Sequence, residues 1–406
     1  MKIKHFDVVV VGAGPAGLMA AEELAQRGVH VAVLERDQIP GKEKPCGGFL
    51  TAKGMVDGRI PLSLAERVTS GVSISISKQP LRQVNYENPI GVQLTREALG
   101  TYLCKRARKN GVEVYLNHEV IECKRDNGCW KITVRDTPYT VQSPLLVGAD
   151  GVSSTVARLT GLRRRFTRNQ LGITIQARVE LSPATITERF GKRMEFYYGS
   201  NICPFGYAWI FPKHDCLYVG IGSLLSATTT SLDSYLTYFI QGHPIASTQL
   251  EGGRVSKIER ALVPLTYRTG SYGEALLLVG DAAGHCSAIT GEGLHYSIAA
   301  GRIAGRIGAD CLARSDVSAR MLRRYEHLWQ REIGNDLKWG VRLRNLFFRG
   351  SQTESISFGM GLDYRFLKLA ADLIVGFRSY RDLVLQAAPL FLWHRVRGLG
   401  RAKGSN

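Results

Sequence analysis

The sequence predicts an α/β fold in which a discontinuous Rossmann-type nucleotide-binding domain carries an inserted antiparallel β-sheet domain and precedes a helical C-terminal region. Three observations support this fold class. Residues 6–35 read as a strand, a glycine-rich turn, a helix and a second strand. Residues 161–270 are rich in strand-like runs with few helical periods. The run ALLLVG at 275–280 then returns to a buried strand, followed by a helix rich in Gly and Ala.

The expected domain boundaries follow these changes of pattern. The nucleotide-binding domain is expected to be assembled from separate pieces of chain, because its strand pattern resumes after the insertion. The predicted divisions are residues 1–70, 96–160 and 271–312 for the nucleotide-binding domain, 71–95 and 161–270 for the antiparallel sheet domain, and 313–406 for the helical region.

The composition limits the class of protein. A chain of 406 residues with 44% hydrophobic residues predicts a folded globular protein of two or three domains. The net charge of +18 leaves acidic protein partners and anionic lipid surfaces open, but no nucleic-acid-binding motif accompanies it, so no nucleic-acid partner is expected. Eight scattered cysteines without zinc-type spacing predict a reducing compartment and no metal site. With no secretory leader or long apolar run visible, we expect a cytoplasmic protein, and peripheral contact with the inner membrane face stays open.

The segment VVVVGAGPAGLMAAEELAQRGVHVAVLERD contains a dinucleotide-binding fingerprint. Gly12, Gly14 and Gly17 have the G-x-G-x-x-G spacing between a strand and a helix, and Glu35 ends the next strand. Such glycines permit a tight turn and let a pyrophosphate approach the N–H groups at the helix N-terminus. The Glu35 carboxylate can accept hydrogen bonds from ribose hydroxyls and would repel a 2′-phosphate. The fingerprint therefore favours FAD or NAD over NADP.

Two further segments decide between these cofactors. LLVGADGVSSTVAR at 145–158 resembles the Asp-Gly motif of the flavoprotein hydroxylase superfamily, and GEALLLVGDAAGHCSAITGEGLHYSIAAG at 273–301 resembles its Gly-Asp segment. The resemblance implies that Asp281 meets the ribityl or ribose chain of FAD, and that the helix start near Gly291 and Gly293 faces the pyrimidine end of the flavin. N–H groups there would stabilise negative charge near N1 of a reduced flavin. The implied cofactor is FAD, and the implied fold is that of para-hydroxybenzoate hydroxylase.

One strand identifies a branch of these flavoproteins. In YAWIFPKHDCLYVGIG, Tyr207, Trp209 and Phe211 share one strand face and a Gly-x-Gly follows at a fixed distance. Together with KPCGG, this segment resembles the geranylgeranyl reductase family, including its archaeal digeranylgeranylglycerophospholipid reductases. The resemblance implies an enzyme that uses FAD to saturate carbon–carbon double bonds of a polyprenyl chain on a lipid, quinone or pigment. Tyr207 and Trp209 would line the substrate slot. The alternation alone favours a sandwich core, and the Gly-x-Gly spacing and the Cys46 loop shift the interpretation to the slot.

The resemblance also implies a set of cofactor-binding residues. They are Gly12, Gly14, Pro15, Ala16, Gly17, Glu35, Arg36, Cys46, Gly47, Arg96, Val120, Asp150, Asp281, Gly291, Gly293 and Leu294. The Cys46 thiol is a candidate catalytic group for substrate positioning or proton supply, and a space-filling role is the alternative. The adjacent glycines are expected to let the backbone pass close to FAD. Ala288 stands where the family often has proline, which leaves the loop shape at the flavin edge open.

The same sequence positions bear on the rival functions and on the electron donor. A monooxygenase or halogenase of this fold is the rival function. Halogenases have tryptophan where this chain has Tyr207, and hydroxylases usually have histidine where it has Gly284, so both positions favour the reductase. A flavin or lipid carrier would not need so complete a flavin site. The expected electron donor is NADPH or reduced ferredoxin. No second G-x-G-x-x-G unit is visible, but members of this superfamily can bind NAD(P)H without one, and the positive net charge would suit docking of an acidic ferredoxin.

The basic C-terminal region has two possible roles. It contains apolar stretches, FLKLAADLIVGF and LVLQAAPLFLWHRVR, interleaved with Lys and Arg. Basic amphipathic helices of this kind can lie on an anionic membrane surface. Alternatively, they cover the antiparallel sheet domain.

Overall fold

The computed structural model describes residues 2–42, 44–76, 79–228, 230–347 and 363–386. The strands of this part of the chain are β1 (Lys2–His5), β2 (Val8–Val11), β3 (Val31–Leu34), β4 (Phe49–Thr51), β5 (Arg67–Thr69), β6 (Gly71–Ile76), β7 (Arg82–Asn85), β8 (Gly91–Gln93), β9 (Glu113–Tyr115), β10 (Val120–Asp126), β11 (Cys129–Val134), β12 (Tyr139–Ser143), β13 (Leu145–Gly148), β14 (Leu171–Glu180), β15 (Arg193–Tyr198), β16 (Gly206–Pro212), β17 (Cys216–Leu224), β18 (Arg254–Pro264), β19 (Tyr272–Gly273) and β20 (Leu276–Leu278). The helices are α1 (Pro15–Ala25), α2 (Ala52–Gly58), α3 (Arg96–Lys109), α4 (Thr155–Leu159), α5 (Pro183–Phe190), α6 (Leu232–Gln241), α7 (Ala246–Leu250), α8 (Leu294–Ala313), α9 (Ala319–Trp329), α10 (Asn335–Phe347) and α11 (Tyr364–Ile374).

A six-stranded sheet in the order β19-β20-β13-β2-β3-β9 forms the nucleotide-binding part. Its strands are parallel from β20 to β9, and β19 adds an antiparallel edge. Both β2 and β3 are buried along their whole length, as expected of parallel strands that are covered on both faces. Helix α1 packs against α8 next to this sheet. The predicted strand–helix–strand unit and the return of the chain to this sheet near residue 276 are confirmed.

A seven-stranded sheet in the order β18-β14-β17-β16-β15-β6-β7 forms the inserted part. One face packs against α6 and α7 around a separate apolar core. The predicted antiparallel sheet is present, with one exception: β6 pairs parallel with β15. The two strands lie far apart in the sequence, and neither strand's residue pattern indicates its partner.

The strands between β3 and α3 also form a small three-stranded sheet, in the order β4-β8-β5. The predicted boundary assigned residues 71–95 to the antiparallel sheet domain. In the structure β8 pairs instead with β4 and β5, which the prediction assigned to the nucleotide-binding domain. Three-residue strands carry too little pattern to reveal such pairing. A fourth sheet, β1-β12-β11-β10, flanks the nucleotide-binding part.

The C-terminal helix α11 covers the other face of the seven-stranded sheet. Leu367, Ala371 and Ile374 of this helix share one buried apolar cluster with Trp209 and Phe211 of β16. Of the two predicted roles of the basic region, covering the sheet therefore applies to this segment. Most of the second apolar stretch, 383–397, lies outside the described residues. Within the described residues, no helix has the length and apolar character required to cross a membrane.

Candidate flavin and substrate site

The glycine-rich turn between β2 and α1 forms an open cradle. Gly12 has a φ of +103°, and a Cβ atom there would lie 2.5 Å from the carbonyl oxygen of Ala149. At Gly17 a Cβ would lie 2.0 Å from the Gly12 carbonyl oxygen, so these two glycines allow close packing of backbone. At Gly14 a Cβ would meet nothing within 4 Å, and no side chain caps α1 there. Space and N–H donors at this helix N-terminus suit a pyrophosphate.

The carboxylate of Glu35 fixes the turn from the end of β3. Its Oε2 atom accepts a hydrogen bond from the Ala13 N–H at 2.5 Å, and its Oε1 atom accepts one from the Asp37 N–H at 3.0 Å. Arg36 is exposed and pairs with Asp37 at 3.5 Å. Glu35 thus orders the cradle, and its contact with ribose stays a prediction, as does a cofactor contact of Arg36.

Two further predicted positions flank the cradle. Val120 begins β10 and is buried, and two residues earlier the His118 N–H donates to the Glu35 carbonyl at 2.7 Å. Asp150 follows β13. Its carboxylate is engaged by residues close in sequence, because it accepts hydrogen bonds from the Ser154 hydroxyl at 2.5 Å and the Val156 N–H at 2.9 Å. Burial raises the pKa of Asp150, and the Ser154 hydrogen bond opposes that rise.

Asp281 lies in a short turn after β20 with two cations near it. Burial raises the pKa of its carboxyl group, and the charges of Arg96 and Lys44 oppose the rise. The Lys44 Nζ atom also lies near the turn after β13, 3.9 Å from where a Cβ on Gly151 would be. A carboxylate for ribityl hydroxyls and cations for phosphate therefore stand together. Lys44 is the first residue of the KPCGG segment, but no role was predicted for its side chain from the sequence.

The start of α8 presents backbone without side chains. Gly291 has a φ of +65°, and a Cβ there would meet only the Tyr207 hydroxyl, at 3.7 Å. Gly293 is the N-cap residue and makes no side-chain cap, and Leu294 is the first helical residue. Glu292 turns back and accepts a hydrogen bond from the His295 N–H at 2.9 Å. The Glu292 carboxylate thus already occupies one N–H of the first turn, and the approach of the flavin to this helix start stays a prediction that rests on the resemblance.

An aromatic strip crosses the face of β16 toward that helix start. The Tyr207 hydroxyl donates to the Thr290 carbonyl, which ties the strip to the loop before α8. The indole of Trp209 lies across the neighbouring strand, because a Cβ on Gly220 would be 2.1 Å from its ring and one on Gly222 would be 3.5 Å from it. The Gly-x-Gly spacing therefore makes room for this indole. Its Nε1 atom is buried and has no hydrogen-bond partner within the described residues.

The loop that carries Cys46 packs against the same strip. Cys46 is half-buried, and its Sγ atom accepts a hydrogen bond from the Gly48 N–H at 3.4 Å. A Cβ on Gly47 would lie 2.5 Å from the ring of Phe211, and one on Gly48 would lie 2.0 Å from the Leu94 carbonyl oxygen. Both glycines are therefore required by contacts within the protein, a reason that the sequence did not indicate. Contact of this loop with FAD stays a prediction.

The C-terminal segment closes the remaining side of the site. Tyr86 donates to Asp372 of α11 at 2.9 Å, and the Arg378 Nε atom donates to the same carboxylate at 3.1 Å. The Tyr380 hydroxyl contacts Ser287 in the loop before α8. The aromatic strip thus lies between the Cys46 loop, the start of α8 and α11. Its side chains pack with those of α11 in one buried apolar cluster, which we call the apolar enclosure.

His285, in the segment between β20 and α8, is turned away from this enclosure. The His285 ring packs against Trp329 with a centroid distance of 4.7 Å, and neither ring nitrogen has a partner within the described residues. Burial lowers the pKa of His285 to about 3, so the ring is neutral at physiological pH. A neutral ring that packs against Trp329 does not fit the role of a proton donor to a substrate in the enclosure.

The glycine cradle, the Asp281 turn and the uncapped α8 start define a dinucleotide-binding flavoprotein. The chain matches the family model "FAD dependent oxidoreductase" over residues 7–198 and the model "Geranylgeranyl reductase catalytic domain" over residues 175–256. The cofactor is FAD. The chain is an oxidoreductase that belongs to the geranylgeranyl reductase family.

Individual relatives agree with this assignment. The chain is 31% identical to a digeranylgeranylglycerophospholipid reductase of Methanothermobacter thermautotrophicus, over 84% of this chain and 87% of that protein. A solved structure of a geranylgeranyl bacteriochlorophyll reductase-like protein from Thermoplasma acidophilum superposes with a TM-score of 0.81 at 24% identity, and covers 96% of this chain and 100% of that one. A flavin-dependent brominase superposes with a TM-score of 0.73 at 18% identity, over 97% of this chain and 100% of that one. Likeness at these structural identities shows the fold alone.

Proposed function

We propose that this chain uses FAD to saturate the carbon–carbon double bonds of a geranylgeranyl-type chain carried by a lipid, quinone or pigment. The observation that carries the proposal is the apolar enclosure around Tyr207 and Trp209, which adjoins the uncapped start of α8. Family membership supports the reaction, and the names of the archaeal relatives support an isoprenoid lipid substrate.

The enclosure answers a chemical requirement of this reaction. When bound and reduced, FAD supplies a hydride equivalent to one alkene carbon. An isolated alkene is a poor acceptor, so the site has to hold it in place and exclude water. The aromatic rings of β16 provide an apolar surface for the chain, and α11 shields that surface from solvent. The Tyr207 contact with the Thr290 carbonyl keeps this surface in register with the loop before α8.

The second alkene carbon requires a proton, which we assign to the Cys46 thiol. Cys46 lies at the margin of the strip, half-buried, on a loop whose next residue touches Phe211. Replacing Cys46 with alanine is expected to preserve FAD absorbance and to lower turnover about 100-fold or more, in the range of a lost general acid. Cys129 is also half-buried but lies on the β11 strand away from the site, so Cys129→Ala is the matched control. Unchanged turnover in Cys46→Ala would assign the thiol to filling space.

The reaction itself is tested by product mass. The protein would be expressed in a host that makes geranylgeranyl lipids, and the lipids analysed by mass spectrometry. We expect a gain of two hydrogens for each bond reduced. A gain of oxygen or halogen would instead support the monooxygenase or halogenase alternative.

The electron donor and location are part of the same proposal. We assign electron supply to NADPH or reduced ferredoxin, and anaerobic bleaching of the flavin bands by one and not the other distinguishes them. We also propose work in the cytoplasm at the inner membrane face, supported by the net charge of +18. Sedimentation with anionic vesicles and not with zwitterionic vesicles is the expected result, and equal sedimentation would contradict it.

A further inference from the structure

Lys213 is a buried lysine that the proposed reaction does not use. It directly follows β16, in the turn to β17, where its N–H donates to the Cys216 carbonyl at 2.8 Å. Among the described residues it is the only lysine in the buried set, and its side chain is fully inaccessible. A lysine in a hairpin turn ordinarily extends into solvent, so this burial requires a reason.

The ammonium group joins three parts of the site. Its Nζ atom donates to the Gly47 carbonyl at 2.7 Å, the Gln93 side-chain oxygen at 3.0 Å and the Leu94 carbonyl at 3.3 Å. The three N–H bonds of an ammonium group thus match three acceptors. These acceptors belong to the Cys46 loop and to the end of β8, whereas Lys213 itself extends from the aromatic strand.

The neighbouring residues leave room for the Lys213 ammonium group. A Cβ on Gly48 would lie 2.8 Å from Lys213 Nζ, so any side chain there would crowd the ammonium. The ring of Tyr218 lies beside it, with its centroid 4.9 Å from Nζ. Burial lowers the pKa of Lys213 to about 8, and the charge of Glu66 opposes that shift. All three acceptors are uncharged, and holding a cation there costs desolvation energy.

We propose that Lys213 is the positioning residue that holds the Cys46 loop against the aromatic strand and thereby sets the place of the Cys46 thiol. The Gly47 carbonyl, one residue after Cys46, is its shortest contact. The inference deepens the proposed function, since it concerns the thiol to which that function assigns the proton.

Peptide-resolved alkylation of the FAD-loaded protein by iodoacetamide tests this directly. In Lys213→Met, which keeps the volume and removes the donors, Cys46 is expected to react roughly ten-fold faster, because the hydrogen bond to the Gly47 carbonyl and the two bonds that anchor the ammonium group to the end of β8 are lost together. Cys129 in the same sample should react at the wild-type rate and serves as the internal reference. Lys124→Met removes one charge from an exposed lysine and should leave both rates unchanged.

The outcomes separate a positioning role from a packing role. If Cys46 in Lys213→Met reacts at the wild-type rate, the lysine only fills a hole and the proposal is overturned. If that variant does not fold, Lys213→Gln keeps a polar group, but its amide is one bond shorter and has two N–H donors for three acceptors, so it should still raise the Cys46 rate several-fold. A wild-type rate there overturns the proposal equally. Alkylation needs neither substrate nor electron donor, so this result stands even if the proposed reduction of polyprenyl chains is wrong.

Discussion

The contact between Trp209 and Gly220 gives the sharpest test of the substrate enclosure. Replacing Gly220 with alanine would place a Cβ 2.1, 2.4 and 2.8 Å from three atoms of the indole. Because carbon atoms in contact are normally about 3.5–4.0 Å apart, the ring would have to retreat by roughly 1.5 Å. Overpacking of this kind costs about 1–3 kcal/mol. The displaced indole would also occupy space in the enclosure.

The matched control is the same substitution two residues later. A Cβ on Gly222 would lie 3.3 Å from a Thr174 methyl group and 3.5 Å from the Trp209 ring, which needs little adjustment. Neither glycine has a left-handed φ, so alanine is compatible with the backbone at both. The two variants therefore differ mainly in how they meet the indole.

The assay combines thermal unfolding with turnover. For Gly220→Ala we expect a Tm lower by a few degrees, an altered tryptophan fluorescence spectrum and a loss of polyprenyl reduction, with FAD still bound. For Gly222→Ala we expect values near those of the wild type. If the two variants behaved alike in Tm and turnover, the packing of the Trp209 indole against Gly220 would not shape the site.

Two further predictions concern the cradle and the core. Gly14→Ala should leave the Tm of the FAD-free protein unchanged yet weaken FAD binding in a titration, because its Cβ would enter only the open cradle; equal FAD affinity would contradict this. Burial raises the pKa of Glu195 to about 7 from its usual 4.5, so stability should fall as pH rises through this window, by up to roughly 3 kcal/mol. Glu195→Gln, which keeps the acceptor for the Tyr197 hydroxyl, should match the wild-type Tm at pH 5 and exceed it at pH 8, and parallel Tm profiles would refute the assignment.

The sequence was sufficient for features whose signal is local. The glycine spacing around Gly12 and the apolar run of β2 predicted the nucleotide-binding unit, because both follow from the geometry of one turn and one parallel strand. Alternation along β16 placed Tyr207 and Trp209 on one face, as the structure confirms by packing both in one cluster. These inferences needed no knowledge of distant partners.

Features that depend on distant partners were not predictable. The parallel pairing of β6 with β15 and the insertion of β8 into a separate sheet join residues whose own patterns are neutral. Lys213 looked like an ordinary turn lysine, and only the fold brings the Gly47 carbonyl to its ammonium group. Gly47 illustrates the same limit, because its absence of a side chain is explained by the ring of Phe211.

The position of α11 separates two tasks that many enzymes combine in one element. The residues predicted to bind the flavin lie in the cradle and at the start of α8, whereas one wall of the proposed substrate enclosure comes from a helix much later in the chain. Substitutions at Leu367 or Ala371 can therefore change the width of the enclosure without touching a residue near the cofactor. Selectivity for chain length or for the number of bonds reduced can diverge among related proteins in this way while their redox chemistry stays constant.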